Sequence, residues 1–321
     1  MADENHVSTD TSDEGSRSFW KEFFKQQFHY SKFLTFHRDW RLFIHSPWLP
    51  QKWTYQTIYV IYRLIIAVYF FGWFIATLVV GTEVHGSKLF IFLTHWGGII
   101  LNLYLLSAAA VTLFYFIYKH HYKKTPHRDL KLSDLQDRPF LEKPCCFKQQ
   151  ESLSVPWYMQ FVWILYVISS EMSIEVVVGY WLTFSGTVHS WPVNLHEHLF
   201  NIIPGLIDLF VTGLPIRFYQ FLYIMGINII YVIFTAIYYA AGGTHSNGNT
   251  HIYSVFDYEG RAVFSSFSVL IFVFVVPVAL HSVYWGLYCL RTFILSRFLK
   301  KASPETRPSQ STFSVMATSP V

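Results

Sequence analysis

Long apolar runs separated by short polar segments dominate the chain. Six runs are close to the roughly 20 apolar residues that a membrane-spanning helix needs, at about 58–80, 89–118, 156–184, 196–214, 218–240 and 263–290. The third is interrupted by Glu171 and Glu175, and the fourth contains Glu197, Pro204 and Asp208. This pattern predicts an all-α, polytopic membrane protein, a bundle of about six transmembrane helices within a domain spanning residues 58–300.

The segments flanking the bundle differ in character. Residues 1–18 are polar and acidic, and residues 301–321 are rich in Ser, Thr and Pro, so both are expected to be disordered. Residues 19–57 mix aromatic side chains with Lys and Arg, which predicts an amphipathic cytoplasmic segment lying at the membrane interface. A structured connector packed beneath the bundle is the alternative.

Composition agrees with a membrane location. The 321 residues are 52% hydrophobic and only 14% charged, whereas a soluble domain carries about 25% charged residues. Basic residues concentrate between the second and third runs, and the three alternate loops hold only Lys88 and Arg261. Because Lys and Arg accumulate in cytoplasmic segments, both termini are predicted to be cytoplasmic. The charge needs no nucleic-acid partner, and plasma membrane and endoplasmic reticulum are not distinguished.

Three cysteines are too few for a disulfide framework of the secreted type. Cys145 and Cys146 lie in the basic segment, and Cys289 lies near the end of the sixth run. Cysteines beside a membrane are candidate acylation sites, so Cys145 and Cys146 are possible acylation positions. Unmodified thiols are the alternative.

Several polar residues interrupt the apolar runs. A charged group near the bilayer centre is unfavourable by about 2.5–3.5 kcal/mol on insertion scales, so such groups need a role. Glu171 and Glu175 share one helix face and could orient a histidine, bind a cation or carry protons, or they could simply hydrogen-bond within the bundle. Asp208 is expected to pair with Arg217, which follows the end of the same run.

Thr94 and His198 fall at similar depth, because both lie near the start of helices that enter from the same side of the membrane. A neighbouring imidazole can make a threonine hydroxyl nucleophilic. Alternatively, the hydroxyl bonds its own backbone and the histidine is a polar anchor. His196 and His198 are two residues apart and point in different directions on a helix, so neither a shared metal nor any cofactor is predicted.

The chain from about residue 58 to residue 300 resembles the rolling stone family of animal multi-pass proteins. The matching stretches include IYRLIIAVYFFGW, FIFLTHWG, YVIFTAIYYAAGGT and IYSVFDY, together with the step from Pro215 to Arg217. The family takes its name from an insect protein linked to myoblast fusion, which implies a membrane role without a stated chemistry.

A more distant resemblance is to the androgen-induced membrane hydrolases, which cleave fatty acid esters of hydroxy fatty acids. Their Phe-Leu-Thr motif is similar to residues 92–94, and their histidine with an acidic residue ten positions on is similar to His198 and Asp208. This resemblance implies Thr94 as the nucleophile and His198 as the base. The family's His-Gly-x-His is absent here, where the chain reads His196-Glu197-His198.

Three functions therefore stand as hypotheses. The first is a threonine hydrolase of a membrane lipid ester with two acyl arms, in which Glu175 orients His198. The second is a non-enzymatic membrane protein acting in cell fusion or membrane organisation. The third is an ion or proton pathway through Glu171 and Glu175.

Overall fold

The described part of the protein is built of helices. The computed structural model describes Lys21, Phe28 and residues 40–49, 53–122, 155–183 and 190–302. No strand occurs in these ranges, which confirms the predicted all-α class. The predicted tail at 1–18, most of the segment 19–57, and Cys145 and Cys146 lie outside the described residues. The tail predicted at 301–321 also lies outside them, except for its first two residues, which continue the last helix to Ala302.

Within the described ranges, the longer elements are eight α-helices and two single π-helical turns. The α-helices are α1 (Trp53–His85), α2 (Leu93–Tyr122), α3 (Trp157–Thr183), α4 (Trp191–Leu195), α5 (Ile202–Val211), α6 (Phe221–Ala240), α7 (Ala262–Leu270) and α8 (Val276–Ala302). A first π-turn, His196–Phe200, joins α4 to the residue before α5, and a second, Ile271–Val275, joins α7 to α8.

Five stretches of helix in the described residues are long and apolar enough to cross a membrane. They are Thr54–Ile91, Leu93–Tyr118, Trp157–Leu182, Phe218–Ala240 and Ala262–Phe298. The protein is therefore an integral, multi-pass membrane protein. The predicted fourth run is not among the five, because its helix is divided into α4, the first π-turn and α5.

This divided segment nevertheless connects the two ends of the bundle. Near its start, Asn194 donates a hydrogen bond to the Tyr180 hydroxyl, close to the end of α3. Just after it, the Pro215 carbonyl accepts a hydrogen bond of 2.7 Å from the Trp163 indole, close to the start of α3. The segment thus runs antiparallel to α3 and makes one further pass through the bundle, the fourth in chain order.

A proline follows each π-turn. Proline lacks an N–H and clashes with the carbonyl four residues earlier, which is Phe200 for Pro204 and Val273 for Pro277. The regular α-helical series of hydrogen bonds, from each N–H to the carbonyl four residues earlier, is therefore interrupted at these carbonyls. Pro204 therefore accounts for the π-turn that interrupts the fourth run, and Pro277 has the same effect within the sixth run.

Helix α3 lies at the centre of the bundle. In its most apolar stretch 67% of residues are buried within the protein, against 17% for the stretch that begins at Thr54. Gly205 lets α5 approach α3 closely, because an added Cβ would lie 2.8 Å from the Ser170 hydroxyl. Polar side chains face this interior and apolar ones face outward, which is the arrangement that a lipid environment favours.

The bundle has two distinct ends. At the loop end, α1 terminates at Gly86, whose φ of +58° closes the helix, and residues 241–261 form a long loop. Lys88 holds this loop by donating hydrogen bonds to the Thr244 hydroxyl at 2.7 Å and to the His245 carbonyl at 3.2 Å.

At the opposite end, residues 40–49 and α8 close the last turn of α5. The Ser46 hydroxyl donates to the Val211 carbonyl at 2.8 Å, and the Trp48 indole donates to the Phe210 carbonyl. Arg291 of α8 donates to three further carbonyls, those of Leu209, Thr212 and Leu214, at 2.8–3.0 Å. These contacts satisfy the carbonyl groups that a helix end leaves free.

Candidate functional site

Thr94 lies at the loop end, in the first turn of α2. The Leu93 N–H donates to the Tyr253 hydroxyl at 3.1 Å, and Tyr253 also shares a side-chain hydrogen bond with Thr94. Burial raises the pKa of Tyr253 to about 12. Tyr253 is therefore neutral at physiological pH, and its hydroxyl holds the start of α2 against the loop 241–261.

A carboxylate lies between two imidazoles close to this point. Glu197 Oε1 is 3.2 Å from His95 Nε2, and Glu197 Oε2 is 3.9 Å from His198 Nε2. Neither contact is a hydrogen bond, and both ring nitrogens of His95 and the Nδ1 of His198 are buried without a hydrogen-bond partner. The first π-turn places Glu197 and His198 here, and α2 contributes His95.

The ring of His198 is fixed by stacking. It lies 3.6 Å from the Tyr180 ring, with the two planes only 4° apart, and the Trp181 indole donates to the His198 carbonyl at 3.0 Å. His196 points elsewhere, as the two-residue spacing predicts. It stacks on Trp73 and bonds the Tyr69 hydroxyl and the Pro192 carbonyl, so both of its ring nitrogens are engaged.

Thr94, His95 and Glu197 line a common pocket. Its remaining walls come from α1, the middle of α2 and the segment around the first π-turn. The residues that form them are Phe70, Trp73, Phe74, Thr77, Gly98, Asn102, His196 and Asn201. The empty space is about 340 Å³, counting the part that opens outward. His198 lies next to Glu197 but is not among the residues that line the pocket.

Glu175 does not orient His198, so that prediction is wrong. Its Oε1 accepts a hydrogen bond of 3.0 Å from Asn228 of α6. The carboxylate beside His198 is Glu197, next to it in the sequence. The sequence signal was present in His196-Glu197-His198, but that triplet was treated as a departure from a motif. His95 was also overlooked, although it directly follows Thr94.

Asp208 takes Arg63, and not Arg217, as its ion-pair partner. Its Oδ2 lies 2.7 Å from the Arg63 guanidinium, and both side chains are fully buried. The Arg217 guanidinium instead lies over the Trp163 ring, 4.6 Å from its centroid. Arg63 was overlooked because a single arginine within IYRLIIAVYF does not end an apolar run.

Glu171 is bound to a histidine of another helix. Its Oε1 lies 2.6 Å from His281 Nδ1, and the other ring nitrogen, Nε2, lies 2.9 Å from the Arg217 carbonyl. Among the residues that the structure describes, no cluster of three or more His, Cys, Asp or Glu side chains could hold a metal ion.

Comparison with known proteins gives the family. The family model described as Protein rolling stone matches residues 10–129 and 145–307, which is most of the chain. The chain belongs to the rolling stone family. It is also similar to the protein rolling stone of Drosophila melanogaster, with 29% identity over 223 residues, covering 68% of this chain and 72% of that protein. No solved structure matches the chain.

The rolling stone match covers both sides of the candidate site. Thr94 and His95 lie in the first matched range, and Glu197, His198 and Tyr253 lie in the second. The predicted resemblance to this family is thus confirmed, and the pocket belongs to the part of the chain that the family model describes.

Proposed function

We propose that this rolling stone protein hydrolyses a lipid ester within the membrane, with Thr94 as the nucleophile and His198 as the base. The observation that supports this most directly is the shared pocket of Thr94, His95 and Glu197, with His198 behind the Glu197 carboxylate. A hydroxyl, an imidazole and an orienting carboxylate are the groups that acyl transfer requires.

The reaction balances with these groups and one water molecule, whose proton returns through His198 to the Thr94 oxygen. The Thr94 oxygen attacks the ester carbonyl carbon while its proton passes to His198. Collapse of the tetrahedral intermediate returns that proton to the departing alcohol and leaves an acyl group on Thr94. Water, activated by His198, then releases the fatty acid. The Glu197 carboxylate stabilises the imidazolium formed in each step.

His198 is the better base of the two histidines. His95 is the neighbour of Thr94 on α2, and consecutive side chains of a helix do not face each other. No hydrogen bond joins Thr94 to His198 in the structure, because the Thr94 hydroxyl bonds Tyr253. Catalytic hydrogen bonds are often formed only when substrate is present, so the substrate must displace the Tyr253 contact.

The pocket favours a substrate with apolar arms. Phe70, Trp73 and Phe74 form its α1 wall, while Thr94 and His95 supply polar groups. The pocket is small and opens outward, so the two acyl arms of such a substrate would extend beyond it. A membrane lipid ester, such as a fatty acid ester of a hydroxy fatty acid, meets this requirement, so the proposed partner molecule is a lipid.

The test compares Thr94→Val with Thr94→Ser in protein reconstituted into vesicles. Thr94→Val keeps the shape and removes the hydroxyl, so hydrolysis of a fluorescent two-armed ester and labelling by a fluorophosphonate probe should both disappear. Thr94→Ser should retain both. His198→Gln should reduce turnover by about 10²- to 10⁴-fold, the usual contribution of a general base.

His95→Gln provides the matched control, because it removes the other imidazole beside Glu197 and should reduce turnover much less. Each variant must elute and melt like the natural protein. Turnover or labelling unchanged in Thr94→Val would remove Thr94 from the chemistry and end the proposal.

A non-enzymatic role in cell fusion or membrane organisation is the second candidate. The buried pairs Arg63–Asp208 and Glu171–His281 favour it, because they join different helices away from the pocket. In this case the polar residues hold the bundle together. In a cell-based complementation assay, the Thr94→Val variant would then restore fusion to the same extent as the natural protein. The Asp208→Asn variant would not.

The proposed orientation places both termini in the cytoplasm and the loop 241–261 outside. Its support is the asymmetry of Lys and Arg between alternate loops. An epitope inserted between Asn247 and Gly248 should bind antibody in intact cells if the protein is in the plasma membrane. In the endoplasmic reticulum it should instead resist protease in sealed vesicles. A C-terminal epitope reachable under those same conditions would reverse the orientation.

A further inference from the structure

The second π-turn exposes a backbone carbonyl inside the bundle. In this turn the Val276 N–H bonds the Ile271 carbonyl, five residues back. The next bond of that series would run from residue 277 to Phe272, but Pro277 has no N–H. The Phe272 carbonyl is instead satisfied by the side chain of Asn228, whose Nδ2 donates to it at 3.1 Å.

Asn228 uses its second N–H to hold a carboxyl group. Its Nδ2 also donates to Glu175 Oε1 at 3.0 Å, so one amide joins α3 to the second π-turn. Two oxygens remain without partners, Glu175 Oε2 and Asn228 Oδ1. The two residues are 6% and 0% exposed, so water does not satisfy these oxygens from outside.

Glu175 also has no cationic partner among the described residues, unlike the other carboxyl groups inside the bundle. Asp208 pairs with Arg63, and Glu197 lies beside His95 and His198. Glu171 is bound to His281, whose Nε2 must carry a proton because the Arg217 carbonyl can only accept.

The ionisable groups around Glu175 do not supply a positive charge. Glu171, one helical turn away on α3, shares its own proton with His281 of α8. On α6, the Tyr231 hydroxyl donates to the Ile91 carbonyl at 2.8 Å. An isolated carboxylate buried in such surroundings is strongly unfavourable and is neutralised instead.

We propose that Glu175 and Asn228 form a proton-binding site at the second π-turn, in which Glu175 is a neutral, exchangeable carboxylic acid at physiological pH. The ligand is a proton and not a metal ion, because hard cations require about six oxygen ligands. Among the described residues the free oxygens here are Glu175 Oε2 and Asn228 Oδ1, with Glu171 Oε2 one helical turn away, and the Phe272 carbonyl is already occupied. These are too few to complete such a shell. This inference does not depend on the hydrolase proposal.

Infrared spectroscopy of the full chain in vesicles tests the site directly. The carbonyl stretch of a protonated carboxylic acid should be present at pH 7 and should be lost in Glu175→Gln. Glu83→Gln is the control, since Glu83 is exposed on α1 and contributes no such band. In Asn228→Leu the band should remain and move to higher wavenumber, because Oε1 has lost its donor. A merely structural role would not move the band.

Labelling by a hydrophobic carbodiimide provides the second measurement, because this reagent attacks protonated carboxyl groups in membranes. Glu175 should be modified at pH 7, with equal rates in sodium and choline salts. A difference spectrum at pH 7 in which Glu175→Gln loses no protonated band would overturn the proposal. Protection of Glu175 by sodium ions would also overturn it, in favour of a cation site.

Discussion

Asp208→Asn tests whether the ion pair with Arg63 holds the bundle together. The substitution removes the charge and keeps the shape. Arg63, which is 1% exposed, then has no counter-charge and keeps its hydrogen bonds to the hydroxyls of Tyr59 and Tyr104. Removing one partner of a buried ion pair lowers the free energy of unfolding by about 3–5 kcal/mol. This corresponds to a change of roughly two to four powers of ten in the unfolding equilibrium constant.

The measurement is reversible unfolding in mixed micelles by increasing sodium dodecyl sulfate, followed by tryptophan fluorescence. The double variant Arg63→Met with Asp208→Asn should recover a large part of the loss, because no buried charge is left uncompensated. Glu83→Gln, an exposed change on the same helix, should be neutral. The reasoning fails if Asp208→Asn unfolds within about 0.5 kcal/mol of Glu83→Gln, the spread expected of surface changes.

Two further predictions concern packing and pH. Gly205→Val should lower the free energy of unfolding by about 1–3 kcal/mol, the usual effect of overpacking, because the new Cβ would meet the Ser170 side chain. Adding Ser170→Ala to the same chain should restore part of this loss, measured in the same unfolding assay. Burial lowers the pKa of His245, so the unfolded chain binds the extra proton and the loop 241–261 should lose protection as pH falls below about 6.5. Hydrogen exchange measures this, and His245→Gln should abolish the dependence.

The membrane fold was predictable because its signal is the length of apolar runs, which depends on bilayer thickness and not on the details of packing. The interruption of the helix in the fourth run was also predictable, because Pro204 has no backbone N–H to donate, whatever residues surround it. Pro277 has the same chemistry, but it lies within an unbroken apolar run, whose pattern predicts a continuous helix. Its effect became visible only in the second π-turn.

Partner choice within the site was not predictable. Sequence spacing fixes which residues share a helix face, but it does not fix how two helices rotate against each other. Glu175 and Arg217 were therefore given the wrong partners, and the pairing of Thr94 with His198 stays a prediction. The true partners, Glu197 and Arg63, depend on contacts between α2 and the first π-turn and between α1 and α5.

The contacts at the end of α5 have a consequence for biosynthesis. Arg63 precedes Asp208 in the chain, so the ion pair can form as soon as the fourth pass leaves the ribosome. The carbonyls of Leu209, Thr212 and Leu214 must wait for Arg291, which is made about eighty residues later. Unsatisfied carbonyls are not tolerated against lipid. The fourth pass therefore completes its insertion only after translation of the final helix, and a chain truncated before Arg291 should be retained by quality control.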